Sequence, residues 1–149
     1  MENRGLEEEV ILIFYFLFNN NNEYIYLKGL YRVGGVGTKI SKLLSLGMDR
    51  KKSEKERFQF FNEHEQYADI LESKTIASAL KHYLRNLNEP LMTYRYHNGF
   101  IAAAKQETRS QRISDVHTLV CRLPKCNFDM LEIIIYHLKT YVYNFSLFI

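Results

Sequence analysis

An arginine followed by a glycine-rich stretch is the first feature of the sequence that could do chemistry. Residues 28–44 read KGLYRVGGVGTKISKLL, so Arg32 lies between Tyr31 and glycines at 34, 35 and 37. Glycine lets the backbone bend sharply and approach another surface closely, and a guanidinium can bond two phosphate oxygens at once. Three interpretations stay open: an ordinary surface loop, a loop that holds a phosphate, or a loop that presents Arg32 to another molecule.

The glycine spacing does not match the common phosphate-binding motifs. In a P-loop, Gly29 and Gly34 would have the right separation, but Gly35 and Val36 stand where Lys and Ser/Thr are required. A dinucleotide fingerprint needs a preceding strand and a third glycine at the position of Ile40. The pattern therefore argues against a nucleotide bound by this loop alone.

Other catalytic or metal-binding sets are also missing from the sequence. The segment HEQYA, residues 64–68, begins like a zinc-protease motif but has Ala68 in place of the second histidine. The five histidines are scattered, and Cys121 and Cys126 form neither a disulfide framework nor a zinc pattern. We therefore expect no metal, no cofactor and no self-contained active site.

A second cationic feature lies in residues 73–92, SKTIASALKHYLRNLNEPLM. At 100° per residue one stripe of this segment is apolar and is predicted to enter the core: Ile76, Leu80, Tyr83, Leu84 and Leu87. Lys81 and Arg85 are four residues apart on another face, where like charges repel weakly. That face is either a solvated cationic surface or a site for an anionic partner.

The elements that must position these residues are predicted to be helices. Helices are expected over 38–46 with Thr38 as N-cap, 73–87, about 94–106, 110–122, and from Asn127 onward with Asn127 as N-cap. The last two helices are predicted to bury residues at helical spacing: Ile113, Val116, Leu119, Val120 and Leu123, then Met130, Leu131, Ile134, Ile135 and Leu138. The charged linker at 49–57 is expected to be a solvated loop. No strand alternation persists, so the predicted class is all-α.

Length and charge set further bounds. The chain has 149 residues, enough for one domain, and its net charge of +3 is too small to indicate nucleic-acid binding. The apolar run at 10–18 is shorter than the roughly 20 residues that span a bilayer, and Glu7–Glu9 stand where a signal peptide would be basic. The sparse cysteines fit a reducing compartment, which predicts a cytoplasmic protein.

Two linked motifs, GLYRVGGV and ALKHYLRNLNEPLM, resemble the Rho GTPase-activating protein (RhoGAP) domain. That family has an arginine in a G-[IL]-[FY]-R loop and then a helix reading LK-x-[FY]-LR-x-L-x-x-P-L. The segment VHTLVCRLPKCNFDMLEIIIYHL is similar to the family's next helix pair, and FIAAAK is similar to the GRAF and oligophrenin group. The resemblance implies an all-α helical bundle of the RhoGAP type, truncated at both ends.

The resemblance also implies a function. Arg32 would be the arginine finger, inserted into a GTP-bound Rho-family small GTPase to accelerate its GTP hydrolysis, so the chain would be an activator in trans and not itself an enzyme. Lys81 and Arg85 align with family residues that support the finger loop and bind the GTPase switch regions. Nucleic acid is not an expected partner, and membrane or cytoskeletal recruitment would depend on flanking domains.

The sequence departs from the family at both ends, which predicts three segments. Residues 1–28 are predicted to be a remnant of the first helix followed by a foreign, intron-like insert, 29–140 a partial RhoGAP domain, and 141–149 a non-homologous tail. A family segment resembling N-L-x-x-V-F-G-P, which adds an asparagine to the GTPase interface, is not found. Because of this difference, a non-catalytic GTPase-binding fragment stays open as an alternative to the activator. A second alternative, a basic helical module that docks on anionic membranes, rests on the charges of Arg50–Lys52.

Overall fold

The computed structural model describes residues 29–146, apart from 48, 50, 54, 58 and 60–69, and omits the side chains of 144–146. Its helices are α1 (Gly37–Gly47), α2 (Ser73–Arg85), α3 (His97–Ala104), α4 (Arg109–Val120) and α5 (Lys125–Ser146). No strand occurs within the described residues, and the all-α class is confirmed. The predictions for residues 1–28, Arg50, residues 64–68 and residues 147–149 lie outside that part of the chain.

The central helix of this arrangement is α2, and its predicted apolar stripe is confirmed. Ile76, Leu80 and Tyr83 are buried, and Leu84 and Leu87 pack against the same core as partly buried residues. The core is completed by apolar side chains from α1, from the residue at 70 and from α5: Leu43, Ile70, Met130 and Ile134. Burial of this stripe fixes the orientation of α2 and so decides which way its other face points.

Two predicted N-caps are wrong. Helix α1 begins at Gly37, so Thr38 lies inside the helix, and the amide of Ile40 donates to the carbonyl oxygen of Val36 at 3.0 Å. Helix α5 begins at Lys125, because the carbonyl oxygen of Pro124 already accepts the amide of Phe128 at 2.9 Å.

Asn127 has a tertiary role in place of the capping role that its residue type suggested. It is buried, and its Nδ2 donates to the carbonyl oxygen of Leu91 at 2.9 Å. The bond ties the segment after α2 to α5. A side-chain amide can satisfy any backbone carbonyl within reach, so its type alone does not reveal a cap.

The predicted burial of the last two helices is only partly correct. No residue of α4 is buried, and Ile113 is 58% exposed, because this helix packs chiefly against the short helix α3. In α5, Met130 and Ile134 are buried while Ile135 and Leu138 are exposed. The inner stripe of α5 instead continues at helical spacing through two polar aromatic residues, His137 and Tyr141.

Helix α4 has the clearest N-terminal signal in the described residues. Thr108 Oγ1 accepts the amide of Gln111 at 3.2 Å, and the Gln111 side chain accepts the amide of Thr108. This reciprocal pair is a capping box. Among the described helices none is long and apolar enough to cross a membrane.

Adjacent isoleucines on α5 test this burial pattern. Ile134→Ala should lower the free energy of unfolding by about 2–5 kcal/mol, because a buried side chain is replaced by a cavity. Ile135→Ala, whose side chain is 55% exposed, is the matched control and should change it by less than about 0.5 kcal/mol. Urea denaturation measures both, and equal losses would contradict the described orientation of α5.

Candidate functional site

The loop that carries Arg32 is a tight turn with an inward and an outward side. Gly29 has φ +75°, in the left-handed region that favours glycine. Its carbonyl oxygen accepts the amides of Arg32 at 2.8 Å and Val33 at 3.0 Å. Leu30 is 2% exposed and enters the protein, whereas Arg32 and Val33 are exposed. The turn therefore presents the guanidinium of Arg32 to the outside.

Helix α2 holds this loop from one side. Lys81 Nζ donates to the carbonyl oxygen of Tyr31 at 2.9 Å, and Ser78 Oγ accepts the amide of Gly35 at 2.8 Å. Both partners lie on α2 within four residues of each other. The backbone on both sides of Arg32 is thus hydrogen-bonded to one rigid element.

Gly35 is required because the loop lies directly against the start of α2. A Cβ added there would be 2.9 Å from Thr75 Cα and 3.0 Å from the Lys74 carbonyl oxygen. A Cβ added at Gly34 would meet nothing within 4 Å. The sequence indicated glycines that approach another surface, and for Gly35 the surface is the chain's own helix.

Of the two cations expected beside Arg32, the structure links one to its loop. Lys81 is half-buried, and its ammonium group bonds the carbonyl of the residue just before Arg32. Arg85 is exposed one turn further along α2. Lys81 thus acts on the loop backbone, and Arg85 adds positive charge to the surface of the same helix.

Helix α5 holds the loop from the other side, through contacts that the sequence did not reveal. The Tyr31 hydroxyl is hydrogen-bonded to His137 Nε2, and Tyr141 OH accepts the amide of Leu30 at 3.3 Å. The Tyr31 ring makes edge contacts with His137 and Tyr141, with ring centroids 5.8 and 5.7 Å apart. The sequence feature that could have indicated these contacts is the helical spacing of His137 and Tyr141, which continue the α5 stripe of Met130 and Ile134.

Burial keeps this pair of side chains neutral. It raises the pKa of Tyr31 well above its ordinary value, with the neighbouring Tyr141 adding to the rise. Burial also lowers the pKa of His137. A neutral phenol and a neutral imidazole share one hydrogen bond, whose direction follows from the imidazole tautomer.

The described residues do not hold metal-binding chemistry. No group of three or more His, Cys, Asp or Glu residues among them is arranged to hold a metal ion. Cys121 and Cys126 are free thiols. What the site offers is one exposed guanidinium on a braced turn.

Fold and site define an all-helical module that exposes an arginine on a glycine-containing turn supported by two helices. The family model for the RhoGAP domain matches residues 16–145. The chain belongs to the RhoGAP domain family, and the resemblance seen in its motifs is confirmed. The predicted segment boundaries at 28 and 140 stay predictions.

Relatives point to the same family. The chain is 52% identical over 138 residues to Rho GTPase-activating protein Graf of Drosophila melanogaster, covering 93% of this chain and 11% of that protein. It is 47% identical over 119 residues to human Rho GTPase-activating protein 10, covering 80% of this chain and 14% of the relative. The chain thus spans only a small part of the curated relatives it matches.

Solved structures agree with the fold. The BH domain of GRAF, the GTPase regulator associated with focal adhesion kinase, superposes with a TM-score of 0.76 at 36% identity, over 95% of this chain and 71% of that one. Human Rho GTPase activating protein 15 gives 0.72 at 27% identity, over 91% and 59%.

The close approach at Gly35 generates a prediction with a neighbouring control. Gly35→Ala should lower the free energy of unfolding by about 1–3 kcal/mol, because the methyl group overlaps backbone atoms of α2 that cannot rotate away. Gly34→Ala adds the same methyl group in open space and should have a much smaller effect. Chemical denaturation of both variants is the measurement, and equal effects would count against the described packing.

The lowered pKa of His137 predicts a pH dependence. As pH falls through the ordinary histidine pKa of 6.5, the unfolded state binds a proton that the folded state resists, so stability decreases with falling pH until the folded-state pKa is passed. His137→Gln should flatten the decrease in unfolding free energy below about pH 6.5. His97→Gln, at an exposed histidine, is the control. Equal slopes for wild type and His137→Gln would contradict the effect.

Proposed function

We propose that this chain is part of a GTPase-activating domain that stimulates GTP hydrolysis by Rho-family small GTPases. The observation that carries the proposal is the exposed Arg32 on a braced turn, in a chain whose relatives are named Rho GTPase-activating proteins. The partner is a GTPase in its GTP-bound form. Arg32 acts in trans, so the chain accelerates a reaction whose nucleotide and magnesium ion belong to its partner.

Arg32 would act by stabilising charge in the transition state. When water attacks the γ-phosphoryl group, negative charge spreads over the phosphoryl oxygens and the leaving oxygen. A guanidinium inserted there donates hydrogen bonds in a site from which water is excluded. Such an arginine raises the rate by about 10³–10⁵, or roughly 4–7 kcal/mol of barrier. Lysine carries the charge but lacks the planar fork.

The neighbouring residues suit the partner-binding roles that we propose for them. Lys81 fixes the carbonyl before Arg32, and its charge, with that of Arg85 on the same helix, favours an acidic partner surface. Val33 and Val36 follow Arg32 in the chain and are exposed, which gives the loop apolar area that a partner can bury. In this proposal Arg32 determines the rate, and Lys81 and Arg85 contribute to affinity and orientation.

A cytoplasmic site of action completes this proposal. Both described cysteines are free thiols, which suits a reducing compartment. Recruitment to membrane or cytoskeleton would come from other domains of a longer protein.

Two observations support a second candidate, a module that binds the GTPase without activating it. The GRAF BH domain structure is matched over 71% of its length, and α5 exposes apolar side chains such as Ile135 and Val142. Elements needed for catalysis would then lie in the unmatched portion. A single-turnover hydrolysis assay with the chain in excess separates the candidates, because a pure binder leaves the GTPase rate unchanged.

Arg32→Ala tests the proposed role of the guanidinium. Stimulated single-turnover GTP hydrolysis should fall by about 10³ or more, because the transition-state charge loses its partner. Arg32→Lys should fail almost as completely. Arg109→Ala, at an exposed arginine of α4, should keep the wild-type rate.

Binding should be affected far less than rate. The dissociation constant for a GTPase loaded with a non-hydrolysable GTP analogue should stay within about threefold for Arg32→Ala, since the guanidinium acts mainly in the transition state. An unchanged stimulated rate in Arg32→Ala would reject the assignment.

A further inference from the structure

We infer that α5 positions the arginine finger through Tyr31, His137 and Tyr141, a set termed the α5 clamp. The inference rests on the proposed function and adds three positioning residues to it. None of the three contacts the partner's nucleotide in this account. Their effect on catalysis passes through the backbone of the turn at residues 29–33, termed the finger turn because it carries Arg32.

The two residues that immediately precede Arg32 are both attached to α5. The amide of Leu30 donates to Tyr141 OH at 3.3 Å, and the Tyr31 hydroxyl bonds His137 Nε2. Leu30 and His137 are each 2% exposed, so each of the two bonds has one buried partner. An amide or hydroxyl buried without such a partner would be costly.

Tyr31 is held at both of its ends. Its hydroxyl is bonded to α5, while its carbonyl oxygen accepts Lys81 Nζ of α2 at 2.9 Å. That carbonyl belongs to the peptide plane that joins Tyr31 to Arg32, and the plane is rigid. The two bonds together therefore fix the direction in which the chain leaves Tyr31, and so the direction in which Arg32 leaves the turn.

The polar composition of the clamp is informative. His137 occupies a position of the α5 stripe that also contains Met130 and Ile134, where an apolar side chain would pack without a desolvation cost. A buried imidazole at this place gains a directional bond to the finger turn that an apolar residue lacks. Preorganising the turn lowers the conformational entropy lost when Arg32 is fixed in the transition state.

Three substitutions and one control isolate the clamp. Tyr31→Phe removes only the hydroxyl and keeps the ring contacts. His137→Leu removes the bonding partner and keeps an apolar side chain of similar size, while His137→Gln retains a polar group able to bond the Tyr31 hydroxyl. Tyr136→Phe removes a hydroxyl from an exposed tyrosine next to His137 and is the matched control.

Amide hydrogen exchange tests the clamp without any GTPase. The amides of Arg32 and Val33, bonded to Gly29 in the wild-type turn, should exchange roughly fivefold to tenfold faster in Tyr31→Phe and His137→Leu, the factor expected for one typical hydrogen bond. His137→Gln and Tyr136→Phe should stay near wild type. Wild-type exchange at both amides in Tyr31→Phe and His137→Leu would overturn the inference.

Single-turnover hydrolysis then tests the consequence for catalysis. With saturating activator, Tyr31→Phe and His137→Leu should stimulate a GTP-loaded Rho-family GTPase roughly fivefold to tenfold less than wild type, with His137→Gln largely restoring the rate. The dissociation constant for the GTPase bound to a non-hydrolysable GTP analogue should change less than twofold. A loss confined to binding, or no rescue by His137→Gln, would overturn the positioning role.

The two arms separate failure of the inference from failure of the proposed function. If Arg32→Ala keeps the wild-type rate, or the wild-type chain gives no stimulation, the proposed function fails, and hydrogen exchange still decides whether the clamp holds the turn. If Arg32→Ala loses stimulation while Tyr31→Phe and His137→Leu retain it, the α5 clamp is rejected and the arginine finger stands.

Discussion

The role proposed for Arg32 requires an exposed side chain, and an exposed arginine on a glycine-rich loop is ordinarily mobile. In this chain the conflict is resolved through the residues next to it. Leu30 is buried and Tyr31 is partly buried, with hydrogen bonds at its carbonyl and its hydroxyl, while Arg32 remains outside. Holding the backbone leaves only the arginine's own side-chain torsions to be fixed on binding.

The need to hold the backbone beside Arg32 also explains why α2 contributes to the core with one face and to the Arg32 loop with another. One face contributes Ile76, Leu80 and Tyr83 to the core. On another face, Ser78 and Lys81 hydrogen-bond the loop that carries Arg32. Because core packing fixes the position of α2, the side chains on its hydrogen-bonding face are also fixed. They in turn fix the backbone of the loop to which they are bonded. Gly35 lies directly against the first turn of α2 and adds a close backbone contact to these hydrogen bonds.

Much of this arrangement was predictable where a periodic pattern or a motif spans many residues. The stripe of α2 and the all-α class followed from the helical spacing of apolar residues. The family followed from GLYRVGGV and ALKHYLRNLNEPLM and is confirmed by the match over residues 16–145. The resemblance implied that Lys81 supports the loop of Arg32, and Lys81 Nζ does hydrogen-bond the carbonyl oxygen of Tyr31 in that loop. The catalytic and partner-binding roles of Arg32, Lys81 and Arg85 stay predictions.

What could not be predicted depends on tertiary context. Thr38 and Asn127 have the side chains of N-caps, but one lies within α1 and the other bonds Leu91 across the fold. Ile113 and Ile135 have core-like spacing yet are exposed. Periodicity identifies an apolar face of a helix, but it does not show whether another element covers that face.

The role of His137 is likewise not visible in the sequence. A lone histidine in a helical segment is usually a solvated or packed side chain, and nothing in its local sequence indicates a partner 106 residues away at Tyr31. A polar residue placed within an apolar stripe was the available signal. Only the fold identifies the group that satisfies it.

The most direct test of the proposed action of Arg32 in the transition state is binding to a Rho-family GTPase that holds GDP and aluminium fluoride. This ligand mimics the transferring phosphoryl group. We predict that the wild-type chain binds this complex much more tightly than it binds the GDP form, and that Arg32→Ala loses this gain while it still binds a GTPase with a non-hydrolysable GTP analogue. Equal affinity of wild type and Arg32→Ala for the aluminium fluoride complex would contradict the account.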